Sequence, residues 1–478
     1  VWSNSCALRE TMPQVGTKYT QMGAYTQVEK RKNYNRKKRL QTVTSLSKSV
    51  MIATEKGPLA AHHWGGVHPL DVDSLLYHYL TDGIRRNQKN HVGIELEFPL
   101  VPMPGKAFDP TVAHSLMAAL LPLGYAVNRT GADGTPLAAH DADGNVFTFD
   151  TCLENVELAS TSAPSLWPLY LRFRETLAAA QAALQKRDHC LLGVGFNPFL
   201  AKGQNPHLIE RELTLAIAEY FQHHRMKRRY VKDFYCVISS EQVHFNTNVD
   251  ELPLLFELFT RLDWLNIMLF ADSPARIGGR HYLCARNELY MQSSFRDIGL
   301  VGAQPLGMNT AQEIASSYGD ACIFMRKRGE NVEIFDPMPV RKYFEREDAQ
   351  EEDIRSLDLE RNIVTTSYGT VEYRMLCAQP FSQAFTPSAF NLGLRMSIRD
   401  ALEVARAFDA RHGAPKPNER NRQASLGVCA FADTADVLHY ARELLMLARR
   451  GLVSRGFGEE AMLAPLDSRL SLLDSPAV

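Results

Sequence analysis

The chain has 478 residues, of which 45% are hydrophobic and 22% charged, and its formal net charge at pH 7 is −1. This composition is typical of a globular protein with a sizeable core and excludes wholesale disorder. The near-zero charge provides no overall field for nucleic acid, and no apolar run approaches the ~20 residues that cross a bilayer. We therefore expect neither a specific nucleic-acid partner nor a membrane.

The first 50 residues differ from the rest because they are polar, basic and almost free of acids, with clusters at Lys30–Lys32 and Arg36–Arg39. Self-repulsion and the lack of apolar periodicity predict a disordered extension. An upstream segment ahead of a true start at Met51, a tail that contacts polyanions and an organelle transit peptide are the alternatives. Residues 51–478 are predicted to form one domain. The eight cysteines are scattered without metal-binding spacing, which favours free thiols in a reducing cytoplasm.

Strands and helices follow each other along this domain without strict alternation, which predicts an α+β fold rather than a doubly wound sheet. The predicted strands are His91–Val101, Asn145–Cys152, Asn155–Ser160, Cys190–Phe196, Phe234–Asn248 and Ile363–Leu376. The predicted helices are Ser165–Lys186, Asp250–Phe270, Pro387–Phe408 and Thr434–Arg450, the last ending at Gly451. Ala414–Arg422 is predicted to be a loop, and Val340–Asp358 a loop or a short surface helix.

Acidic side chains occur on two of the predicted strands, His91–Val101 and Asn155–Ser160. Glu95 and Glu97 are two residues apart, so on a strand both point to the same face. Two neighbouring carboxylates repel unless a cation or proton lies between them, and Mg²⁺ is the natural partner of such oxygens. Glu157, on the predicted strand Asn155–Ser160, is favoured over Glu154 for the same site. The alternative for each strand is an ordinary solvated acidic face.

Two later strands also carry polar side chains on one face. Gln242, His244 and Asn246 share a face, and amides with an imidazole suit a nucleotide, a carboxylate or a metal ion. Glu372 and Arg374 share a face of another strand, where the carboxylate can hold a cation and the guanidinium a phosphoryl group. A half-buried structural histidine and a simple ion pair are the alternatives. If these strands are neighbours, their polar faces would form one funnel for two or three Mg²⁺ ions and a triphosphate.

These segments, in this order over about residues 90–460, resemble the glutamate–cysteine ligases and related carboxylate–amine ligases, most closely the plant and proteobacterial branch. The matching segments are Gly93–Glu97, Val156–Ser160, Gln242–Asn246, Leu269–Pro274, Gly369–Arg374 and Gly451–Gly456. Leu153-Glu154-Asn155 stands where the plant branch commonly has G-G-Q-F. The incoming amine is therefore left open.

The resemblance implies a glutamine-synthetase-like fold, a curved antiparallel sheet forming a funnel with helices behind it. It also implies that ATP phosphorylates a carboxylate, usually that of glutamate, and that an amine such as that of cysteine attacks the acyl phosphate. The implied cofactors are ATP and two or three Mg²⁺ ions. The implied metal ligands are Glu95, Glu97, Glu157, His244 and Glu372. Gln242 and Asn246 would contact the nucleotide or substrate, Arg374 the phosphoryl group, and Arg286 a phosphate or substrate carboxylate.

Other functions remain open from the sequence. A ligase of the same fold could act on another amine in a specialised pathway. A guanidino kinase would stop at phosphoryl transfer, and a binding protein on the same scaffold would not catalyse at all. The chain contains no G-x-x-x-x-G-K-[ST] motif, which excludes a P-loop. A homodimer is a further expectation.

Overall fold

A large antiparallel sheet organises the computed structural model, which describes residues 14–15, 71–86, 91–209, 214, 217, 220, 234–329, 331–357, 359–413 and 416–474. The strands are Gln14–Val15 (β1), Val92–Pro102 (β2), Ala126–Thr130 (β3), Pro136–His140 (β4), Val146–Phe149 (β5), Asn155–Ala159 (β6), His189–Leu191 (β7), Ser240–Asn246 (β8), Ala275–Ile277 (β9), Arg280–Tyr282 (β10), Val301–Gly302 (β11), Cys322–Arg328 (β12), Asn331–Pro339 (β13), Glu360–Arg361 (β14), Ile363–Thr365 (β15) and Thr370–Cys377 (β16).

Nine of these strands form the main sheet in the order β15-β16-β8-β2-β6-β5-β4-β3, with β7 on the far end of β2. Every pairing in it is antiparallel. The central strand β2 pairs with β8 near its start, with β6 in its middle and with β7 at its end. The remaining strands form three small sheets, β1-β9-β10, β11-β14 and β12-β13.

Helices surround the sheet and pack into one continuous core with it. They are Val72–Arg86 (α1), Val112–Leu120 (α2), Leu166–Gln185 (α3), Leu252–Leu269 (α4), Ala285–Gln292 (α5), Ser294–Asp297 (α6), Ala311–Ser316 (α7), Val340–Tyr343 (α8), Thr386–Met396 (α9), Ile398–His412 (α10), Pro417–Ala424 (α11), Thr434–Arg455 (α12) and Ala464–Asp474 (α13). Buried apolar side chains from Leu76 to Leu470 belong to a single cluster. The predicted α+β class is confirmed.

The two faces of the central strands have different roles because side chains alternate along a strand. Helix α4 covers the apolar face, where Phe259 stacks on Phe245 of β8 with ring centroids 5.2 Å apart. Phe259 also lies 4.8 Å from the ring of Tyr373 on β16. The odd-numbered apolar residues of β8 and β16 therefore anchor these strands to a helix, and their even-numbered polar residues are directed to the opposite face.

The strand predicted over Cys190–Phe196 ends at Leu191. The strand predicted over Phe234–Asn248 is confined to Ser240–Asn246, because Phe234–Cys236 forms a 3-10 turn. Four further predicted boundaries were wrong, and each has a local cause. The strand predicted over Ile363–Leu376 is two antiparallel strands, because the turn at Thr366–Gly369 reverses the chain. The helix predicted over Pro387–Phe408 is divided at Ser397 into α9 and α10. The segment Ala414–Arg422 contains the helix α11, in which Pro417 occupies the first turn, where proline is tolerated.

The fourth error concerns Gly451, which does not end helix α12. The helix continues to Arg455 and is capped by Gly456, whose φ of +75° suits glycine. A β-carbon at position 451 would lie 2.1 Å from the carbonyl oxygen of Gly393, and one at 393 would lie 2.2 Å from that of Ala448. The two glycines therefore allow α9 and α12 to pack with their backbones in contact.

The predicted extension 1–50 lies outside the described residues apart from Gln14–Val15, which pairs in parallel with Arg276–Ile277. In the segment predicted as a loop or short helix, Val340–Tyr343 and Glu351–Ser356 are helical. Within the described part of the chain, no helix combines the length and apolarity needed to span a bilayer.

Candidate active site

Three neighbouring strands bring Glu95, His244 and Glu372 together on the polar face of the sheet. His244 on β8 lies directly opposite Glu372 on β16 and opposite Gly93 on β2. A β-carbon on Gly93 would already touch that of His244 at 3.4 Å, so a larger side chain there would compete with the imidazole for space. The glycine leaves His244 room to extend toward Glu95, two residues further along β2.

The geometry of these three side chains suits a bound cation. One ligand atom from each residue lies within 4.8 Å of the other two. In an octahedral Mg²⁺ site with bonds of about 2.1 Å, ligand atoms are about 3 to 4 Å apart. A small movement of the three side chains would therefore bring their ligand atoms to bonding distance of one ion. His244 Nδ1 lies 3.1 Å from Thr370 Oγ1, while Nε2 lies 3.1 Å from Glu95 Oε1. The threonine thus orients the ring, as partners of metal-bound histidines commonly do.

The electrostatics of the cluster favour positive charge between the carboxylates. Burial alone would raise the pKa of Glu95, but the hydrogen bond and charge of His244, together with the charge of Arg374, leave it below its ordinary value. Burial alone would lower the pKa of His244, but Glu95 and the charge of Glu372 raise it above its ordinary value. A protonated imidazole and a cation are therefore alternative ways to neutralise this pair of acids.

Two arginines adjoin the cluster. Arg374 contacts the carboxylate of Glu372, and its Nη2 lies 3.0 Å from Glu360 Oε2. Arg286 on α5 is only 3% exposed and donates from Nη2 to the backbone carbonyl of Arg374 at 2.9 Å. Its Nε and Nη1 are buried and have no hydrogen-bond partner among the described residues. Both arginines line a small cavity with Tyr290, and unpaired buried donors at its edge are suited to an anion.

Glu97 lies on the same face but outside the three-residue cluster. Its Oε1 accepts hydrogen bonds from Ser240 Oγ at 2.6 Å and Gln242 Nε2 at 3.1 Å. Its Oε2 accepts from the Ser240 backbone N–H at 2.9 Å and from Asn155 Nδ2 at 3.3 Å. Four donors hold this buried carboxylate in place, and its role as a metal ligand stays a prediction.

The other predicted residues lie near this line of side chains. Glu157 on β6 is directly opposite Glu97, which places it on the same face one strand away. Gln242 donates to Glu97, while its Oε1 is buried without a described partner. Asn246 is at the end of β8 opposite Thr370 and accepts a hydrogen bond from the backbone of His91 at 3.2 Å. Their contacts with nucleotide or metal remain predictions.

The sequence interpretation missed three residues that the site uses. Thr370 and Ser240 occupy the polar faces of β16 and β8, two residues before Glu372 and Gln242, so strict alternation along each strand could have identified them. Glu360, which pairs with Arg374, gave no such indication, since it follows a charge-dense segment and lies in the two-residue strand β14.

Solved structures that resemble this chain include several ligases. A bifunctional glutathione synthetase from Pasteurella multocida aligns with 12% identity over 81% of this chain and 47% of its own, with a TM-score of 0.42. A glutamate–cysteine ligase from Francisella tularensis in complex with AMP aligns with 13% identity over 81% of this chain and 82% of its own, with a TM-score of 0.40. The complex between the ubiquitin-like protein Pup and its ligase PafA aligns with 11% identity over 81% of this chain and 64% of its own, with a TM-score of 0.37.

These likenesses are distant. The chain spans less than two thirds of the glutathione synthetase and of the PafA complex chain, and every TM-score is below 0.5. They do not assign an activity. No family model and no curated protein matches the chain.

Proposed function

We propose that this chain is an ATP-dependent carboxylate–amine ligase that activates its carboxylate as an acyl phosphate. The observation that carries the proposal is the convergence of Glu95, His244 and Glu372 from three strands, with Arg374 and Arg286 beside them. Acids and bases that converge from distant parts of a chain in one concave polar region are typical of a functional site.

The donor set fits a divalent cation of the kind that accompanies ATP. Two carboxylate oxygens and one imidazole nitrogen would hold Mg²⁺ or Mn²⁺, with Glu97 and Glu157 further along the same face for a second ion. Such ions neutralise the phosphate charges of the nucleotide. Gln242 and Asn246 would contact the nucleotide or substrate from β8.

The arginines supply what phosphoryl transfer requires of the protein. The reaction depends on positioning and on stabilising charge rather than on a protein nucleophile. Arg374, kept charged by Glu360 and Glu372, would stabilise the transferring phosphoryl group. The unpaired donors of Arg286 would bind an oxygen of the phosphate or of the substrate carboxylate.

A carboxylate resists attack by an amine until it becomes a mixed anhydride, so this machinery suits amide formation. Transfer of the γ-phosphoryl group would give an acyl phosphate and ADP, and the amine would then displace phosphate. We propose glutamate as the carboxylate, activated at its γ-carboxyl, and an amino acid such as cysteine as the amine. The reaction would take place in the cytoplasm, as a first step of glutathione biosynthesis where cysteine is the amine.

The test is ADP release that depends on both a carboxylate and an amine, with mass spectrometry of the product. Glu372→Gln should lower the rate about 100-fold or more, as loss of a charge-stabilising group does. Glu403→Gln, on the exposed face of α10, is the matched control and should turn over normally. Glutamate and cysteine are tried first, followed by a panel of other amines.

Two outcomes would contradict the proposal. ADP release with a guanidino acceptor and no carboxylate would indicate a phosphotransferase instead. Absence of magnesium-dependent ATP binding by calorimetry in the wild-type chain would indicate a scaffold without catalysis.

A further inference from the structure

A second cavity lies beyond the far end of strand β2. It has a volume of about 380 Å³, within the range of about 300–1,000 Å³ common for ligand pockets. The side chains that define this distal cavity are Lys106, Phe108, Phe199, Gln204, Asn205 and His207. Pro102 is seven positions after Glu95 on β2, so this end of the strand is about 23 Å from Glu95.

A buried carboxylate fixes the imidazole at the mouth of the distal cavity. Glu154 is fully buried, and its Oε1 lies 2.6 Å from His207 Nδ1. Its Oε2 accepts a hydrogen bond from the backbone N–H of His207 at 3.0 Å. The other ring nitrogen, Nε2, lies on the opposite side of the imidazole, whose side chain is 44% exposed. Holding an exposed ring with a buried acid orients Nε2 for a partner from outside.

The basic side chains of the distal cavity each have an acidic partner. His207 is matched by Glu154, and Lys106 by Asp188, whose Oδ2 lies 2.8 Å from the Lys106 Nζ. The amides of Gln204 and Asn205 are exposed at the rim. A ligand suited to this lining is uncharged where it enters and offers both donors and acceptors.

The apolar part of the lining consists of flat rings. Phe108 stacks on His207 with centroids 5.2 Å apart and planes 28° apart, and it lies 6.3 Å from Phe199 at 31°. Aromatic rings beside carboxamides form the combination that proteins use for nucleobases, since rings stack on the base and amides pair with its polar edge.

We propose that the distal cavity binds a purine nucleoside at a site separate from Glu95, His244 and Glu372. The base lies against the rings of Phe108 and Phe199, and its polar edge meets His207 Nε2 and the amide of Asn205. This site does not depend on the proposed ligase activity, because none of its residues belongs to the candidate active site.

The experiment is calorimetric titration of adenosine into the full chain and its variants. Phe108→Ala should weaken binding about tenfold or more, because each stacked base contributes about 1–3 kcal/mol and 1.4 kcal/mol is tenfold. Asn205→Ala, at an exposed position, should weaken it severalfold without disturbing the fold. Phe457→Ala removes a partly exposed ring elsewhere and is the matched control.

Equal affinity of the wild type and both cavity variants would overturn the proposal, because adenosine would then bind elsewhere. Failure of the wild type to bind adenosine would overturn it as well. If Phe108→Ala unfolds, the result for Asn205→Ala decides alone. Loss of ATP-dependent turnover in Glu372→Gln with unchanged adenosine binding would show that the two sites are distinct.

Discussion

Asp263 offers a quantitative test of how the core behind the candidate active site is built. This residue of helix α4 is fully buried, and its Oδ2 accepts a hydrogen bond from Asn362 Nδ2 at 2.6 Å. The backbone carbonyl of Asn362 in turn accepts from the N–H of Arg374 at 2.9 Å. Burial raises the pKa of Asp263 from 3.8 to about 7, although hydrogen bonds from Asn362 and Asn421 partly oppose this.

The sign and size of the pH effect follow from that pKa. The folded state keeps the proton up to about pH 7, whereas the unfolded state releases it near pH 3.8, so stability falls as pH rises between these values. A difference of about three pKa units corresponds to about 4 kcal/mol in total. Between pH 5 and pH 8 the loss attributable to Asp263 is about 2–3 kcal/mol. Replacement by asparagine keeps the shape and a donor but removes the titration.

The assay is equilibrium urea unfolding of the wild type and of Asp263→Asn at pH 5 and pH 8, followed by the fluorescence of the adjacent buried Trp264. The wild type should lose about 2–3 kcal/mol more stability than the variant over this interval. Asp272, whose pKa burial also raises to about 7, contributes equally to both proteins and cancels in the difference. Equal losses in the two proteins would refute the assigned burial penalty.

Two further substitutions test the packing and the site. Gly451→Ala should cost about 2 kcal/mol or more in the free energy of unfolding, because its β-carbon would overlap the Gly393 carbonyl. Chemical denaturation should show a larger loss than for Gly456→Ala, which has no neighbour within 4 Å and adds only the strain of a positive φ. Thr370→Val should weaken Mn²⁺ or Mg²⁺ binding about tenfold, because it removes the hydroxyl that orients His244. Thr370→Ser keeps a hydroxyl and should bind the metal as the wild type does. Equal affinities of the two variants in a metal titration would exclude an orienting role for Thr370.

Strict alternation along strands allowed much of the candidate site to be predicted. Side chains two residues apart on a strand share a face. The sequence therefore predicts that Glu95 lies beside Glu97, Gln242 beside His244, and Glu372 beside Arg374. The pattern within one strand says nothing about which strands are neighbours. That β8 lies between β2 and β16, and that His244 therefore meets both acids, required the register of the folded sheet.

Glycine and proline gave the least reliable boundaries, because each has more than one use. Gly451 follows a long helical pattern and so predicts an end, yet in the fold it is where two helix backbones touch. Pro417 predicts a loop, yet it begins α11. Distinguishing these uses requires knowledge of the neighbouring element, which is a tertiary property.

The two faces of the central strands explain how an acidic site can be carried by a stable sheet. Phe245 and Tyr373 alternate with His244 and Glu372 along β8 and β16, and they pack on Phe259 of α4. The apolar face supplies hydrophobic stabilisation, which scales with buried area, while the polar face holds acidic side chains together with their cationic partners. Changing the charge of the site should therefore alter ligand binding far more than folding. Because Asp263 belongs to the packed face and Glu372 to the polar one, their separate substitution distinguishes stability from function.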